Sequence, residues 1–580
     1  MDRRTFLALL LTALVIVLTP MLFRAGSARR ELPPAGSSAA ATGATSTAST
    51  ATAGSSTASP APPAAAPVVP APAPSTAADV APSAPVRVDT TVLQRPQGAY
   101  AFVSPGAAPV SVSLADYRVL RPGRSGEVVL VNPPEADAPA SRPAALLNYR
   151  VVLGRDTVAL DTMALQSTRT ADGIRFSSTG TPKISIEYRF GDRPYLTRVQ
   201  GTVQAAAAAV PAQLLVELPQ GLRSEEADTV EDIRHLAYGY KLAREDVKSV
   251  AFGKLDSTLI RTDSGPMTWV ATHNKYFLIA LVAPDSTQPF LALRMRGGHH
   301  AGKLQVTGHA TAILPLHDGG FSFDLYTGPQ SWNAMRAAGH GLENVNPYGG
   351  WIPGVQPLAT IVMRVLLWMR ATFHLGYGWV LILFGVVVRL LLWPLNQSAM
   401  RASLKMQRIQ PELMELQKRF KGEPEKQREA IMRLYQEHGM SPFSQLTGCL
   451  PMLLPMPVLF ALYFVFQNTI ELRGVSFLWL PDLALKDPTY ITPLFMGVSM
   501  FVLSWIGMRA APPNPQTKMM SFMMPAVMTV VFINLASGLN LYYAVQNIAA
   551  LPQQWFIARE RAKAGVSSPS KPKAGGRRSA

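Results

Sequence analysis

Hydrophobic and polar positions alternate in three different ways along this chain, and each pattern predicts a different kind of element. Near the N-terminus, Phe6 to Phe23 is apolar apart from Thr12, Thr19 and Pro20, with Arg3 and Arg4 before it. The run exceeds the roughly 7–15 apolar residues of a signal peptide, which favours an uncleaved anchor over 1–24, although Ala25-Gly26-Ser27 resembles a weak cleavage site. Residues 25–84 are rich in Ala, Ser, Thr and Pro and lack the apolar residues of a core, so they predict a disordered linker. From about residue 85 to 345 the period becomes two. Val110, Val112 and Leu114 alternate with Ser111 and Ser113, and Ile184, Ile186, Tyr188 and Phe190 alternate with Ser185, Glu187 and Arg189. Gln213–Leu218 and Phe321–Tyr326 fit further strands. Many short half-buried strands parted by Gly, Pro and Asp turns predict an antiparallel all-β sandwich.

Beyond residue 346 the period is helical. Leu358, Ile361, Val362, Val365, Leu366, Met369 and Phe373 fall on one face, with Arg364, Arg370 and His374 opposite. This predicts an amphipathic helix within 346–375 lying in a membrane interface. Apolar runs follow at about 377–395, 450–468, 489–507, 519–536 and 539–556. Each approaches the roughly 20 residues that a helix needs to cross hydrocarbon. The first span occupies 376–396 and the other four lie within 449–557. Between them, 397–448 reads as a helical hairpin: Ile409, Leu413, Leu416 and Phe420 mark one arm, Gly422-Glu423-Pro424 the turn, and Ile431, Leu434 and Tyr435 the second arm. The predicted fold class is an α-helical membrane bundle, with a five-helix core plus an N-terminal anchor helix, carrying an all-β sandwich outside the membrane.

Charge orients this arrangement. The net charge of +17 concentrates beside the spans, with nine Lys/Arg in the hairpin and seven in the tail 558–580, against two, Arg473 and Lys486, in the 470–488 loop. The positive-inside rule places the hairpin, the tail and the N-terminus in the cytoplasm, and the sandwich in the periplasm. Placement beside spans explains the basic residues without DNA as a partner. The single cysteine, Cys449, excludes an internal disulfide and reads as a small buried hydrophobe.

No metalloprotease or nucleophile-elbow motif is present. Gly297-Gly298-His299-His300-Ala301-Gly302-Lys303 has the spacing of a phosphate loop, but Leu304 replaces the Ser/Thr that would hold magnesium. His299 and His300, being adjacent, would point to opposite faces of a strand and make a poor metal site. No cofactor is expected.

One residue stands out. Arg389 lies in Leu381–Trp393, otherwise wholly apolar. Placing Arg at the centre of a membrane helix costs about 2.5–3.5 kcal/mol on insertion scales. Two readings remain open: the side chain faces a hydrated cavity, or it snorkels to the cytoplasmic surface. No acidic residue lies in any of the five C-terminal spans to neutralise it, which points to a transient partner.

These residues resemble the YidC family of membrane protein insertases. The resemblance rests on Val388-Arg389, Trp393-Pro394-Leu395, Met406, Ile409-Gln410-Pro411, Gly448-Cys449-Leu450-Pro451-Met452-Leu453, Met456-Pro457 and Ala461-Leu462-Tyr463. Glu471-Leu472-Arg473, Asp482-Leu483, Asp487-Pro488, Ser537-Gly538-Leu539 and Tyr542-Tyr543 follow in order, while Lys275-Tyr276-Phe277 and Tyr326-Thr327-Gly328-Pro329 are similar in the outer domain. It implies a periplasmic β-supersandwich and a five-helix core around a hydrophilic groove open to the cytoplasm. Arg389, Tyr542 and Tyr543 would then be groove residues. Met452, Pro457 and Phe460 would belong to a substrate slide on the third span, and Ile409, Pro411 and Leu413 to the functional cytoplasmic hairpin. The implied partners are nascent membrane proteins, components of the Sec translocon, membrane lipid and, through the basic tail, the ribosome. The chain departs from the family pattern at Pro455, at the insert Phe443–Thr447, and at Gly385, where a polar groove residue would stand one turn before the arginine. The rival readings are a channel or transporter, which would need polar residues in several spans, and a tethered glycan-binding module, which would need an aromatic cluster on one sandwich face.

Overall fold

The computed structural model describes residues 88–133, 144–204, 212–285, 287–346, 348, 355–394, 397, 409, 412–413, 415–420, 422–438, 456–509 and 515–563. The expected anchor, linker and tail beyond 563, together with Pro411, Cys449, Met452, Pro455 and the 443–447 insert, lie outside these residues.

Period-two patterning becomes an antiparallel β domain. Thr90–Arg95, Gly98–Val103, Ala108–Arg118 and Glu127–Val131 form a four-stranded sheet in that order. Across the larger, fourteen-stranded sheet run Asp156–Ala159, Asn148–Leu153, Ala212–Glu217, Gly308–Pro315, Phe290–Gly297, Arg261–His273, Phe277–Val282, Gly320–Pro329, Leu196–Gln204, Lys183–Phe190, Gly173–Ser178 and Leu165–Arg169. Ala237–Leu242 and Val247–Ala251 branch off the Arg261–His273 strand. In Lys183–Phe190, Ile184, Ile186 and Tyr188 are buried while their neighbours are not. Phe277–Val282 breaks the alternation because all six of its residues are buried. Its uninterrupted apolar run is what a strand covered on both faces requires.

The two sheets share one core. Phe102 of the small sheet packs against Tyr188 and Phe176 at ring-centroid distances of 4.8 and 6.1 Å. The Tyr188 hydroxyl donates to the Ala107 carbonyl at 2.8 Å, and the Thr327 hydroxyl donates to Tyr100 at 3.2 Å. These bonds satisfy polar atoms that would otherwise be stranded in the interior. The phosphate-loop lookalike folds as β-structure: Gly297 ends a strand and His300–Ala301 pairs with Leu304–Gln305. No helix N-terminus follows to hold a phosphate. Among the described residues no cluster of three His, Cys, Asp or Glu could hold a metal.

Two short helices, α1 (Thr229–Arg234) and α2 (Trp332–Ala338), decorate the β domain. The helical half comprises α3 (Val355–Phe373), α4 (Tyr377–Leu391), α5 (Pro424–Glu437), α6 (Met456–Asn468), α7 (Ile491–Arg509), α8 (Pro515–Phe532) and α9 (Ser537–Lys563). α3 meets α4 at a bend of 117°, so the two are separate elements. The stripe expected on α3 needs correction. Its buried side consists of Val355, Ala359, Val362, Met363, Leu366 and Met369, and it packs against α6. Ile361 and Phe373 are exposed, together with Trp368. Helix packing takes one apolar face and leaves a second exposed. Among the described residues, α7 alone is both long and apolar enough by itself to cross a bilayer; the described parts of α6 and α8 contain shorter apolar helices.

The two halves are joined by a buried ion pair. Arg473, in the loop after α6, donates from Nε to both carboxylate oxygens of Glu226 at 2.8 and 2.9 Å, and from Nη2 to the Arg118 carbonyl at 2.9 Å. Both side chains are more than nine-tenths buried. The guanidinium also lies over the Phe277 ring at 5.3 Å. Next to it, Glu471 accepts from the Ser331 hydroxyl and the Trp332 backbone N–H. Breaking one side of a buried ion pair costs about 3–5 kcal/mol, whereas replacing both by apolar residues of similar volume is often neutral. Arg473→Met should therefore loosen the junction and speed its cleavage by protease, and the double change Arg473→Met/Glu226→Leu should restore most of the resistance.

His273 adds a pH dependence. Burial in the sheet pushes its imidazole from 6.5 down to about 4, so the unfolded chain binds the proton more tightly than the folded one. Its contribution to stability is complete above pH 6.5 and is lost as pH falls towards 4, up to about 3 kcal/mol. Chemical denaturation of the full chain across that window should show the loss, and His273→Gln should flatten it.

Candidate functional site

α4 carries Arg389 and α9 supplies its surroundings. Along α9, Tyr542, Gln546 and Gln553 are spaced by four and seven residues, which places them on one stripe. The stripe faces α4. Gln546 donates from Nε2 to the Gly385 carbonyl at 3.0 Å and to the Tyr542 hydroxyl at 2.9 Å. Gln553 accepts from Arg389 Nη2 at 2.8 Å and donates from its own Nε2 to the Trp393 carbonyl at 3.3 Å. Because Gly385 meets Gln546 and Arg389 meets Gln553, the two helices run in the same direction. The result is a polar seam between the two helices.

Gly385 has a structural reason. A Cβ there would sit 3.1 Å from Val545 Cγ1 and 3.6 Å from Tyr542 Cδ2, so its absence lets α9 approach closely enough for Gln546 to reach the backbone. The polarity lost at this position of α4 is supplied from α9. Gly378, about two turns earlier on nearly the same face, serves a similar close approach: a Cβ would lie 2.0 Å from the Phe477 ring.

Arg389 is half-buried. The sequence offers no acidic residue in the five C-terminal spans to pair with it. Its partner is a neutral amide, so the guanidinium is hydrogen-bonded but its charge is not cancelled. Its buried Nε has no acceptor among the described residues. The sequence reading passed over Gln546 and Gln553, though their spacing from Tyr542 within an apolar run was a usable signal. A second polar contact joins Asn547 of α9 to the Ser499 hydroxyl of α7 at 3.1 Å.

The seam is closed at one end. Tyr542 is buried and packs on Phe384 of α4 and Phe466 of α6 at 5.7 and 5.9 Å. Tyr543 turns away by the rotation between successive helix positions and meets Phe532 of α8 at 5.3 Å. Beyond them the 470–488 loop caps α9: the Ser537 hydroxyl donates to the Asp482 carbonyl at 2.9 Å, and the Gly538 N–H to the Leu483 carbonyl at 2.9 Å. Arg389 and Gln553 lie at the opposite end, away from this plug.

The other expected residues are placed separately. On α6, Pro457 is exposed and Phe460 half-exposed, while α8 exposes Met519, Phe522, Met523 and Val530. In the hairpin, Ile409 is buried and Leu413 half-buried. Leu434 and Tyr435 of α5 are also buried, Glu412 of the first arm comes within 3.9 Å of His438 at the end of α5, and Pro424 starts α5 at its first turn. The two arms enclose a cleft of about 450 Å³ lined by Leu416, Arg419, Arg433 and Leu434. The structure thus brings Arg389 and Tyr542 into one seam, and leaves the hairpin residues and the α6 surface as distinct places.

Comparison with known proteins matches residues 86–368 to the YidC periplasmic domain and residues 368–564 to the 60Kd inner membrane protein family. The membrane protein insertase YidC of Chlorobium luteolum is 31% identical over 454 residues, covering 74% of each chain. That of Syntrophus aciditrophicus is 28% identical over 488 residues, covering 82% of this chain and 85% of the relative. A crystal structure of an active YidC insertase with its first transmembrane domain resolved aligns with 81% of this chain and 94% of its own, at 18% identity and a TM-score of 0.33. The chain belongs to the YidC family of membrane protein insertases, proteins of the bacterial inner membrane whose substrates are other membrane proteins.

Proposed function

We propose that the α4–α9 seam is the hydrophilic groove through which this insertase, which is not an enzyme, receives the polar flank of an incoming chain. The observation that carries the reading is the Arg389–Gln553 hydrogen bond: a cation held in place within the apolar bundle with its charge left uncancelled. An acidic or polar segment entering the seam gains a charge-assisted partner and loses less on leaving water than it would in hydrocarbon. The aromatic plug at Tyr542 and the loop beyond it make the seam a blind groove that opens towards Arg389.

In this reading the hairpin, the tail and the N-terminus lie in the cytoplasm. A nascent helix meets the hairpin around Ile409, Pro411 and Leu413. Its polar flank enters beside Arg389, with Tyr542 at the deeper end and Tyr543 backing it against α8, and its apolar stretch moves into lipid along α6 and α8. Met452, Pro457 and Phe460 belong to that slide, which the exposed apolar side chains of α8 extend. Burial of apolar surface, at about 25 cal/mol per Å², drives the last step without nucleotide. The transporter reading finds no support among the relatives, which are membrane protein insertases.

Insertion of a single-span substrate with an acidic external segment tests the groove. Arg389→Lys should retain insertion and Arg389→Ala should lower it by about tenfold or more, the equivalent of one charge-assisted hydrogen bond. Gln553→Glu should mimic Arg389→Ala, because a carboxylate at that site would neutralise the guanidinium. A substrate with an uncharged segment should be little affected by either change. Equal insertion of the acidic substrate by all variants would sink the charge mechanism.

The basic tail is proposed to contact ribosomal phosphates, and the β domain to contact the Sec translocon. Co-sedimentation with ribosomes should weaken steeply with added salt and on removal of residues 564–580. Cross-linking from the β domain should recover translocon components; recovery of neither partner would remove these assignments.

A further inference from the structure

The 470–488 loop carries an apolar tip that the described residues leave uncovered. After α6, Phe477 and Leu480 exchange two backbone hydrogen bonds of 2.9 Å, which leaves Leu478 and Trp479 as the central pair of a tight hairpin turn. Tips of this kind favour Gly, Asn or Asp, because the first central residue takes a positive φ and the turn usually faces water. Leu478 has a φ of 53°. The loop does use glycine at its other left-handed position, Gly474, with a φ of 68°. At 478 it keeps a leucine that is 71% exposed, beside a tryptophan that is 44% exposed. No charged side chain stands between Arg473 and Asp482.

The tip is fixed from the protein side. Phe477 fills the space that Gly378 leaves on α4, and its ring meets Trp379 edge-on at 5.4 Å. Trp479 donates from Nε1 to the Asp487 carboxylate at 3.4 Å. The same carboxylate oxygen accepts from the backbone N–H and the hydroxyl of Thr492, in the first turn of α7, at 2.7 and 2.8 Å. The one polar atom of the indole is thereby satisfied within the protein, and what the side chain offers outwards is hydrocarbon.

These contacts set the tip level with the first turns of α4 and α7. Trp379, Tyr490, Ile491, Leu494 and Phe495 are exposed at the same level. Ile491, Leu494 and Phe495 share one face of α7, the helix that is apolar enough by itself to cross a bilayer. Trp and Tyr at the ends of spans mark the boundary between membrane and water. The family is one of inner-membrane proteins, so a bilayer is at hand here without any further partner, and an uncharged tip with its polar atom turned inwards suits lipid better than water. We infer that Leu478 and Trp479 form a wedge inserted into the lipid leaflet on the β-domain side, where headgroups meet acyl chains. Asp482 and Leu483, a few residues further on, cap the start of α9, so the wedge holds the closed end of the seam at a fixed depth. The inference rests on the membrane location of the family and stands whether or not the seam receives substrate.

Leu478→Cys and Trp479→Cys, each with Cys449→Ser, can carry a fluorophore in the full chain held in phospholipid nanodiscs. Both labels should be quenched by lipids bearing a nitroxide high on the acyl chain, more than by lipids bearing one near the bilayer centre, and both should be shielded from iodide in the water. The same label at Leu259 supplies the contrast. That residue is 68% exposed and lies beyond the far end of the strand Arg261–His273, whose near end leads to Tyr276 beneath Arg473. It should be open to iodide and indifferent to the lipid nitroxides. The double change Leu478→Gly/Trp479→Ser removes the wedge and keeps the turn, because glycine suits the positive φ; a label at Tyr490→Cys should then become several-fold more accessible to iodide. Iodide quenching at 478 and 479 equal to that at 259 would overturn the assignment, and so would shielding from iodide without quenching by lipid, which would place protein over the tip. A label at position 490 unmoved by the double change would overturn the anchoring role.

Discussion

The membrane half of this protein is organised by the need to keep one guanidinium solvated inside an apolar bundle. A charge in hydrocarbon is tolerated only with partners, and a carboxylate would be the strongest available. The chain uses an amide. Gln553 accepts from Arg389 and hands its own donor to the Trp393 carbonyl, which fixes the arginine in place and preserves its positive field. Much else follows from bringing α9 this close to α4. Gly385 has no side chain because Val545 and Tyr542 occupy that space. Gln546 fills the hydrogen-bonding gap that the glycine leaves. Polarity and close packing are two aspects of one contact.

The same seam is closed at the end away from Arg389. Aromatic rings do this at Tyr542, Phe384 and Phe466, and the 470–488 loop continues the seal by capping the start of α9. That loop is itself anchored to the β domain through Arg473 and Glu226. The β domain therefore braces the closed end of the seam. Two arginines do opposite work: Arg473 is neutralised and structural, whereas Arg389 is left uncancelled.

Much of this was legible in the residues. Alternation in Lys183–Phe190 and Ala108–Arg118 located strands because one face is wet, and Arg389 stood out because its neighbours are apolar. Three things were hidden. The buried face of α3 includes Met363 and excludes Ile361, since an element apolar on two sides does not reveal which side meets protein. The role of Gln546 and Gln553 depends on which helix lies opposite, and a helix of mixed composition looks simply less hydrophobic. The Arg473–Glu226 pair joins residues 247 positions apart, a separation that no local pattern encodes. The apolar runs supplied the five spans in order, and the family resemblance marked Gly385 as a departure, for which Gln546 of another helix supplies the polarity.

The account turns on the seam being a polar, blind groove entered from the cytoplasmic side. With Cys449 replaced by Ser, single cysteines at Gln546 and at Val387 can be labelled by a membrane-impermeant maleimide applied to either face of oriented vesicles. The account predicts that position 546 reacts from the cytoplasmic face, is shielded while a stalled substrate is engaged, and stays unreactive from the outer face, with the lipid-side position 387 unreactive from both. Labelling of position 546 from the outer face, or none from either, would contradict it.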